Sequence, residues 1–433
     1  MNRATSSASP PGVRGVGDAR RILLVSYFYP PCRDTGVLRP AAMAKWLRRL
    51  GHEVVVLTTS AYGSGSADED ADVVRTVDAQ RWRARLHGKQ RIDALFDSDT
   101  YGGNPHPLSR VIVPEALAAA WAPFARSRAL ALQRRRGFDC VITTSPPESA
   151  HAVGMALHRR GVPWVADVRD AWTFESLRPA YPTAAQRRLD SWLERRWLGG
   201  ADAVVCVSAP AAEDLRRRQI ADPLLIANGW DPEPEAAAGA SGPTGLLDPD
   251  RVSLVYTGRF GGYGRDPRSL IEAIRLLARQ QAEAAAKLEL VIAGPITQAE
   301  SELFAADLSP ARVVVAGSLE RPRALALQHE ADALLLVAQP TRSQLLNIKL
   351  FEYLASGRPI LALAGDTEAG RIVERVGGET VRADDPVAIA AALRRLVAGE
   401  LETPSAGAVA AYTYPRPAEQ MADAVERAIE AHG

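Results

Sequence analysis

The chain has 433 residues, 47% of them hydrophobic and 24% charged, with a formal net charge of +1 at pH 7. That is material for two or three globular domains with buried cores, and the near-neutral balance argues against the broad basic field of a nucleic-acid-binding protein. Cys32, Cys140 and Cys206 lie far apart without metal-ligand spacing, which argues against a disulfide framework or zinc site and for a reducing compartment.

Residues 1–19, rich in Ser, Pro, Gly and Ala, read as a disordered leader. Arg21–Phe28 is a near-continuous apolar run, as a parallel strand buried on both faces requires. It is too short for a signal-peptide core, and no apolar run reaches the ~18 residues of a membrane span. The expected location is therefore the cytoplasm. Helical periodicity over Pro40–Leu50 stops at Gly51, and the strand Glu53–Thr58 completes a βαβ unit. The charged stretch from there to about Tyr101 reads as an insertion or long loop.

Alternation then resumes. Cys140–Thr143, Trp164–Val168, Ala203–Val207 and Leu224–Ile226 read as strands, and Ser149–Arg159 and Ala184–Leu198 as helices. Residues 234–250 change to Glu, Pro, Ala, Gly and Ser, the composition of a linker. A second series follows, with strands at Val252–Tyr256, Leu288–Ala293, Val313–Ala316, Ala333–Val337 and Ile360–Ala364. Its helices include Arg268–Arg279, Arg321–His329, Lys349–Ser356 and Pro386–Val397, and Pro417–His432 is a last helix. The fold class is α/β, with two doubly wound domains, 20–233 and 251–409, a terminal segment 410–433, and the cleft between the domains as the default site.

Four segments carry candidate chemistry. In Asn347-Ile348-Lys349-Leu350-Phe351-Glu352, a helix opens near Lys349 and stops at Gly357. Its N terminus is a seat for a pyrophosphate, and Glu352, one turn in, is placed to accept hydrogen bonds from two ribose hydroxyls. The bland alternative is an amphipathic helix with a solvated glutamate. Second, the strand ending at Tyr256 runs into a glycine-rich loop with Arg259 and Arg265, guanidinium groups suited to a leaving diphosphate. The loop lacks the Gly-x-Gly-x-x-Gly spacing of a nicotinamide fingerprint. Third, Gly36, just before the first helix, leaves room for a phosphate from the facing domain, though a simple turn glycine explains it as well. Fourth, Asp167-Val168-Arg169-Asp170 ends a strand at the cleft. Asp170 is a candidate to orient or deprotonate an acceptor hydroxyl, and a local salt-bridge cluster is the alternative. His151 reads as structural, and neither a nucleophilic triad nor a metal motif is present.

From Arg21 to its end the chain resembles the GT-B-fold glycosyltransferases of family 4, of the bacterial polysaccharide and natural-product type. The segments Lys349–Pro359, Tyr256–Arg259, Gly51–Val54 and Asp167–Trp172 carry the likeness. The resemblance implies two Rossmann-like domains facing a central cleft. The N-terminal one binds the acceptor, the C-terminal one binds the nucleotide sugar, and the last helix crosses back. It implies a retaining, front-face displacement with UDP or GDP as donor nucleotide, without a required cofactor or metal. Arg259 and Arg265 would contact the diphosphate, with Lys349 beside them. Leu350 and Phe351 would offer backbone N–H groups, Glu352 would hold the ribose, and Leu319, within Gly317–Glu320, would lie along the base. The first glutamate of the family's paired motif falls at Gln344, a departure at the position that faces the donor sugar. A histidine common in the family is absent, and Asp170 stands in that neighbourhood.

A nucleotide-sugar epimerase and a degenerate nucleotide-sugar-binding protein, or pseudo-glycosyltransferase, are the rivals on the same fold. Product analysis with donor alone separates the first, and binding without turnover the second. The acceptor is open among sugars, aglycones and lipid-linked glycans. The basic stretch Arg81–Arg91, with Trp82 and His87, is a candidate for peripheral contact with an anionic membrane, against the more common solvated face.

Overall fold

A computed structural model of the chain describes residues 18–32, 34–62, 72–78, 111–176, 178, 180–233, 243–260, 265–339 and 341–433. The expected leader up to residue 17, the basic stretch 81–91, residues 234–242 of the linker and residues 261–264 of the glycine-rich loop lie outside them.

The described strands form two parallel sheets. The first is β1 (Arg21–Ser26), β2 (Glu53–Thr59), β3 (Val73–Thr76), β4 (Cys140–Ser145), β5 (Trp164–Val168), β6 (Ala203–Cys206) and β7 (Leu224–Leu225), in the order β3-β2-β1-β4-β5-β6-β7. The second is β8 (Val252–Thr257), β9 (Leu288–Ala293), β10 (Arg312–Gly317), β11 (Ala333–Val337), β12 (Ile360–Leu363) and β13 (Glu379–Val381), in the order β10-β9-β8-β11-β12-β13. In both sheets the order reverses beside the first strand, which opens a crevice at the carboxyl ends. The central strands are buried on both faces. Leu24 of β1, for instance, sits level with Val56 of β2 and Ile142 of β4.

Seven helices position the site: α1 (Leu38–Arg49), α2 (His151–His158), α3 (Ala184–Leu198), α4 (Arg321–Glu330), α5 (Ile348–Ser356), α6 (Glu368–Val376) and α7 (Arg416–His432). Thr183 and Gln186 form a capping box that starts α3. Gly357, at φ +67°, ends α5 in the left-handed conformation that a β-carbon disfavours. On α7, Ala418, Met421, Ala424, Val425 and Ala428 recur at helical spacing and are fully buried. They pack on Ile22, Leu24, Ile142, Val165 and Val205, so the last helix of the chain covers one face of the first sheet. The chain crosses between the two halves at 226–231 and again at 412–416. The two crossings pair there: Trp230 N–H donates to the Tyr412 carbonyl at 3.0 Å, and Tyr414 N–H to the Trp230 carbonyl at 3.1 Å.

Two strands went unpredicted, β3 and β13. Both are edge strands of three or four residues, largely half-buried, so neither shows the apolar run of the interior strands. Among the helices that went unpredicted, Ala122–Arg136 buries only Ala125, Ala129 and Leu132, a stripe too narrow to read as periodic. Among the described residues no helix is long and apolar enough to cross a membrane.

Gly154 of α2 lies against the fully buried Trp164 ring. A β-carbon there would stand 2.2 Å from Trp164 Nε1, an atom fixed by its 2.8 Å hydrogen bond to Thr143 Oγ1. Gly154→Ala is expected to destabilise by about 1–3 kcal/mol through overpacking, against the helix propensity of alanine. The midpoint of urea unfolding, compared with wild type, checks this.

Candidate functional site

The C-terminal half of the site is built on α5. Asn347 caps it: the side-chain oxygen accepts from Lys349 N–H at 3.1 Å and the carbonyl from Leu350 N–H at 3.0 Å. The expected open phosphate seat is therefore closed internally in this state. The side chains of Leu350 and Phe351 are fully buried, so only their backbone is available at the helix end. Glu352 is 3% exposed. Its carboxylate accepts from Lys349 Nζ at 2.7 Å and from Arg321 at the start of α4, and lies 3.4 Å from Gln328 Nε2. Burial alone would raise its pKa, but the two cations outweigh burial and hold the carboxyl below its ordinary range.

Further bonds join this cluster to the exit of β8. Gln328 Nε2 donates to Thr257 Oγ1 at 2.8 Å, and Thr257 N–H to the Tyr353 hydroxyl at 2.9 Å. Beyond Thr257, β8 and β9 leave the sheet in backbone contact, since a β-carbon on Gly294 would fall 1.9 Å from the Gly258 carbonyl. The Arg259 carbonyl accepts from the Tyr256 hydroxyl at 2.8 Å and from Arg265 Nη1 at 2.9 Å. Arg265 thus braces the loop that carries Arg259. Leu319 is half-buried between Gly317, at φ +69°, and Glu320, the residue that opens α4.

In the N-terminal half, the local ion cluster at 167–170 weighed as the alternative is not the one that forms. Asp167 is held by Arg39 of α1, with Nη2 at 2.8 Å from one oxygen and Nε at 3.1 Å from the other. Arg169 instead donates to three carbonyls, those of Ser145 at 3.0 Å, Gly36 at 2.6 Å and Pro146 at 2.7 Å. Gly36 also gives its N–H to Asp34 Oδ1 at 2.6 Å, and a β-carbon on it would stand 3.3 Å from Arg169 Nη1. A β-carbon there would meet Asp34 Oδ1 first, at 2.9 Å, then Phe28 at 3.2 Å, and both backbone polar groups of Gly36 are engaged. Asp170 makes no hydrogen bond to another described residue. Burial pushes its carboxyl up, partly offset by Arg169.

The two halves meet beside Gln344, which is 1% exposed. Its Oε1 accepts from Ala171 N–H at 3.3 Å. Glu175, in the left-handed region at φ +44°, reaches across to accept from Ser343 Oγ at 3.1 Å and from Gln344 N–H at 3.2 Å. The structure thus gathers Lys349, Leu350, Phe351 and Glu352 on one helix and sets Gln344 beside Ala171. Asp170 makes no hydrogen bond to any of them. Glu175 and Arg321 were missed in the sequence. Each acts on a partner 31 or more residues away, and spacing gives no signal for that.

A second group missed in the sequence backs the N-terminal half of the site. Arg178 Nε lies 3.6 Å from Glu148 Oε1, and Arg178 Nη2 lies 3.3 Å from Asp190 Oδ2. Asp190 also accepts from Trp172 Nε1 at 2.8 Å, which fixes the segment after Asp170. Glu115 is buried beside them, and its carboxyl is pushed up to about 8 by burial, then by the neighbouring Glu148.

Two family descriptions match the chain: Glycosyl transferase 4-like domain over residues 37–229 and Glycosyl transferases group 1 over residues 251–399. Only 1–36, 230–250 and 400–433 fall outside both. In fold the chain is similar to sucrose-phosphate synthase of Thermosynechococcus elongatus, at TM-score 0.58 and 19% identity over 93% of this chain and 98% of that one. It is similar to HepE of Anabaena in complex with UDP-glucose, at TM-score 0.57 and 14% identity over 94% and 99%. A glycosyltransferase from Rickettsia africae gives TM-score 0.59 and 12% identity over 96% and 100%. None of the curated proteins searched matches it. The chain belongs to the family 4-like glycosyltransferases, with two Rossmann-like domains in the GT-B arrangement.

The raised pKa of Glu115 sets a pH dependence of stability. Its contribution is fully present below the unfolded-state value of about 4.5 and is lost as pH rises through about 8, because the unfolded chain sheds that proton first. Glu115→Gln removes the loss. The variant is expected to melt at a higher temperature than wild type at pH 8 and to converge with it near pH 5. Paired melting curves across that range check this.

Proposed function

We propose that the chain transfers a hexosyl or deoxyhexosyl group from a nucleoside-diphosphate sugar to an acceptor hydroxyl, with retention at the anomeric carbon, in glycan or natural-product biosynthesis. The observation that carries this reading is Glu352, a buried and ionised carboxylate held between Lys349 and Arg321 beside the exit of β8. Such a carboxylate accepts hydrogen bonds from two vicinal ribose hydroxyls. On donor binding they take the place of Arg321, whose long, half-exposed side chain turns to the diphosphate. A phosphate oxygen takes over the α5 N–H groups that Asn347 now caps. The solved HepE complexes with UDP and UDP-glucose support a uridine donor, with GDP the second choice.

In the transfer, the acceptor oxygen bonds to the anomeric carbon as the bond from that carbon to the diphosphate oxygen breaks, both on one face of the sugar. The acceptor proton passes to the departing phosphate oxygen. Arg259 and Lys349 stabilise the charge that grows there, with Arg265 fixing the loop that aims Arg259. Asp170 orients the acceptor hydroxyl from the carboxyl end of β5, and closure through Glu175 limits the access of water.

A thermal-shift comparison of UDP, GDP, ADP and TDP tests the donor site. At a hundredfold excess over its dissociation constant, UDP is expected to stabilise the protein by about 2.7 kcal/mol. Glu352→Ala should weaken that binding by about 1.5–3 kcal/mol, the worth of hydrogen bonds to a charged group. Asp170→Asn should leave the UDP shift unchanged and lower kcat by about 10²–10⁴-fold. No shift with any of the four nucleotides would overturn the assignment.

A further inference from the structure

We propose that His158, Asp202 and His432 form a transition-metal site, best suited to Zn(II), that ties the end of the last helix to the N-terminal domain. The three residues come from three separate segments: the end of α2, the turn before β6 and the end of α7. They meet at the amino ends of β5 and β6, on the side of the first sheet away from the cleft. His158 Nδ1 stands 3.0 Å from one oxygen of Asp202 and His432 Nδ1 stands 3.1 Å from the other. The ligand atoms all lie within 4.8 Å of one another.

Four observations favour an ion. Each imidazole–carboxylate separation is near the roughly 3.3 Å that metal–nitrogen and metal–oxygen bonds of about 2.0–2.2 Å set between neighbouring ligands, the two nitrogens approaching different oxygens of Asp202. The carboxylate is already oriented, because Asp202 Oδ2 accepts from Trp164 N–H at 2.8 Å. Both imidazoles aim Nδ1 at it, with the rings edge to face at 73° rather than stacked. Finally, the only ion-pair partners of Asp202 among the described residues are these two histidines, so no fixed arginine or lysine fills the place of the ion.

Two imidazoles and one carboxylate are a borderline-soft set that suits Zn(II) over Ca(II) or Mg(II). Side-chain exposures of 26%, 10% and 24% for His158, Asp202 and His432 let an ion enter from water and leave a coordination position for a water molecule. Without metal, the same geometry serves two N–H···O hydrogen bonds. The ion joins α7 to α2 and β6, a staple distinct from the apolar face through which α7 covers the sheet.

The test is titration of chelator-treated full-length protein with Zn(II) by calorimetry, and with Co(II) by visible absorption. We expect one equivalent per chain, a Zn(II)-dependent rise of a few degrees in melting temperature, and the d–d bands of a low-coordinate Co(II) ion. His158→Gln and His432→Gln each keep a hydrogen-bond donor for Asp202, and circular dichroism verifies that both fold. Each should weaken Zn(II) binding at least about tenfold and remove the Co(II) bands. Failure of folded wild type to bind one equivalent, or binding unchanged in both folded variants, would overturn the site.

Discussion

The contact on which the functional half of this molecule turns is the ion pair of Arg39 and Asp167. Both side chains are 5% exposed, and the guanidinium grips the carboxylate through two nitrogens. Thr144 Oγ1 donates to the same carboxylate at 2.9 Å, and Arg39 Nη1 donates to the Ala227 carbonyl at 2.9 Å. One arginine therefore fixes α1, β4, β5 and the segment that leaves the N-terminal sheet for the second. A buried pair of this kind adds little net stability over an apolar substitute, because desolvation offsets most of the attraction. It discriminates between arrangements instead: removing either partner would strand a charge, so the four elements meet in one way. The loop beyond β5, with Asp170, Ala171 and Glu175, starts from that fixed point.

The same anchor bears on how the halves approach each other. Arg39 Nη1 lies 3.3 Å from Asn228 Oδ1, just before the bridge in which Trp230 pairs with Tyr412 and Tyr414. The chain thus crosses between the domains at two adjacent places, where Ile226 and Tyr414 pack on the core of the first sheet and Ala227, Trp230 and Tyr412 on that of the second. Among the described residues, the hydrogen bonds across the cleft from them are Ala171 to Gln344, and Ser343 and Gln344 to Glu175. Polar contacts of this size are worth about 0.5–1.5 kcal/mol each.

How much of this the sequence discloses depends on where a residue finds its partner. Interior strands such as Trp164–Val168 and Leu288–Ala293 read with their observed limits because burial on both faces leaves an unbroken apolar run. The contact of Lys349 with Glu352 is legible too, being one helical turn. Arg321, which shares that carboxylate, is not, and neither is Arg39, which lies 128 residues from Asp167. In the sequence Asp167 stands beside Arg169, so a local pair is the natural reading. The chain instead directs Arg169 at carbonyl oxygens, one of them that of Gly36.

Gln344 shows the same limit from the other side. Read alone, it is a lost glutamate in a motif that otherwise holds. In place, it lies against Glu175, whose carboxylate comes from the opposite domain and accepts the backbone N–H of Gln344 itself. A glutamate at 344 would set a second carboxylate beside the first at a site 1% exposed, where like charges raise a pKa and oppose closure. The amide avoids that. Its oxygen accepts from Ala171, as a carboxylate would, and its Nε2 has no hydrogen-bond partner among the described residues. A buried amide donor without a partner is costly, by about 1–3 kcal/mol.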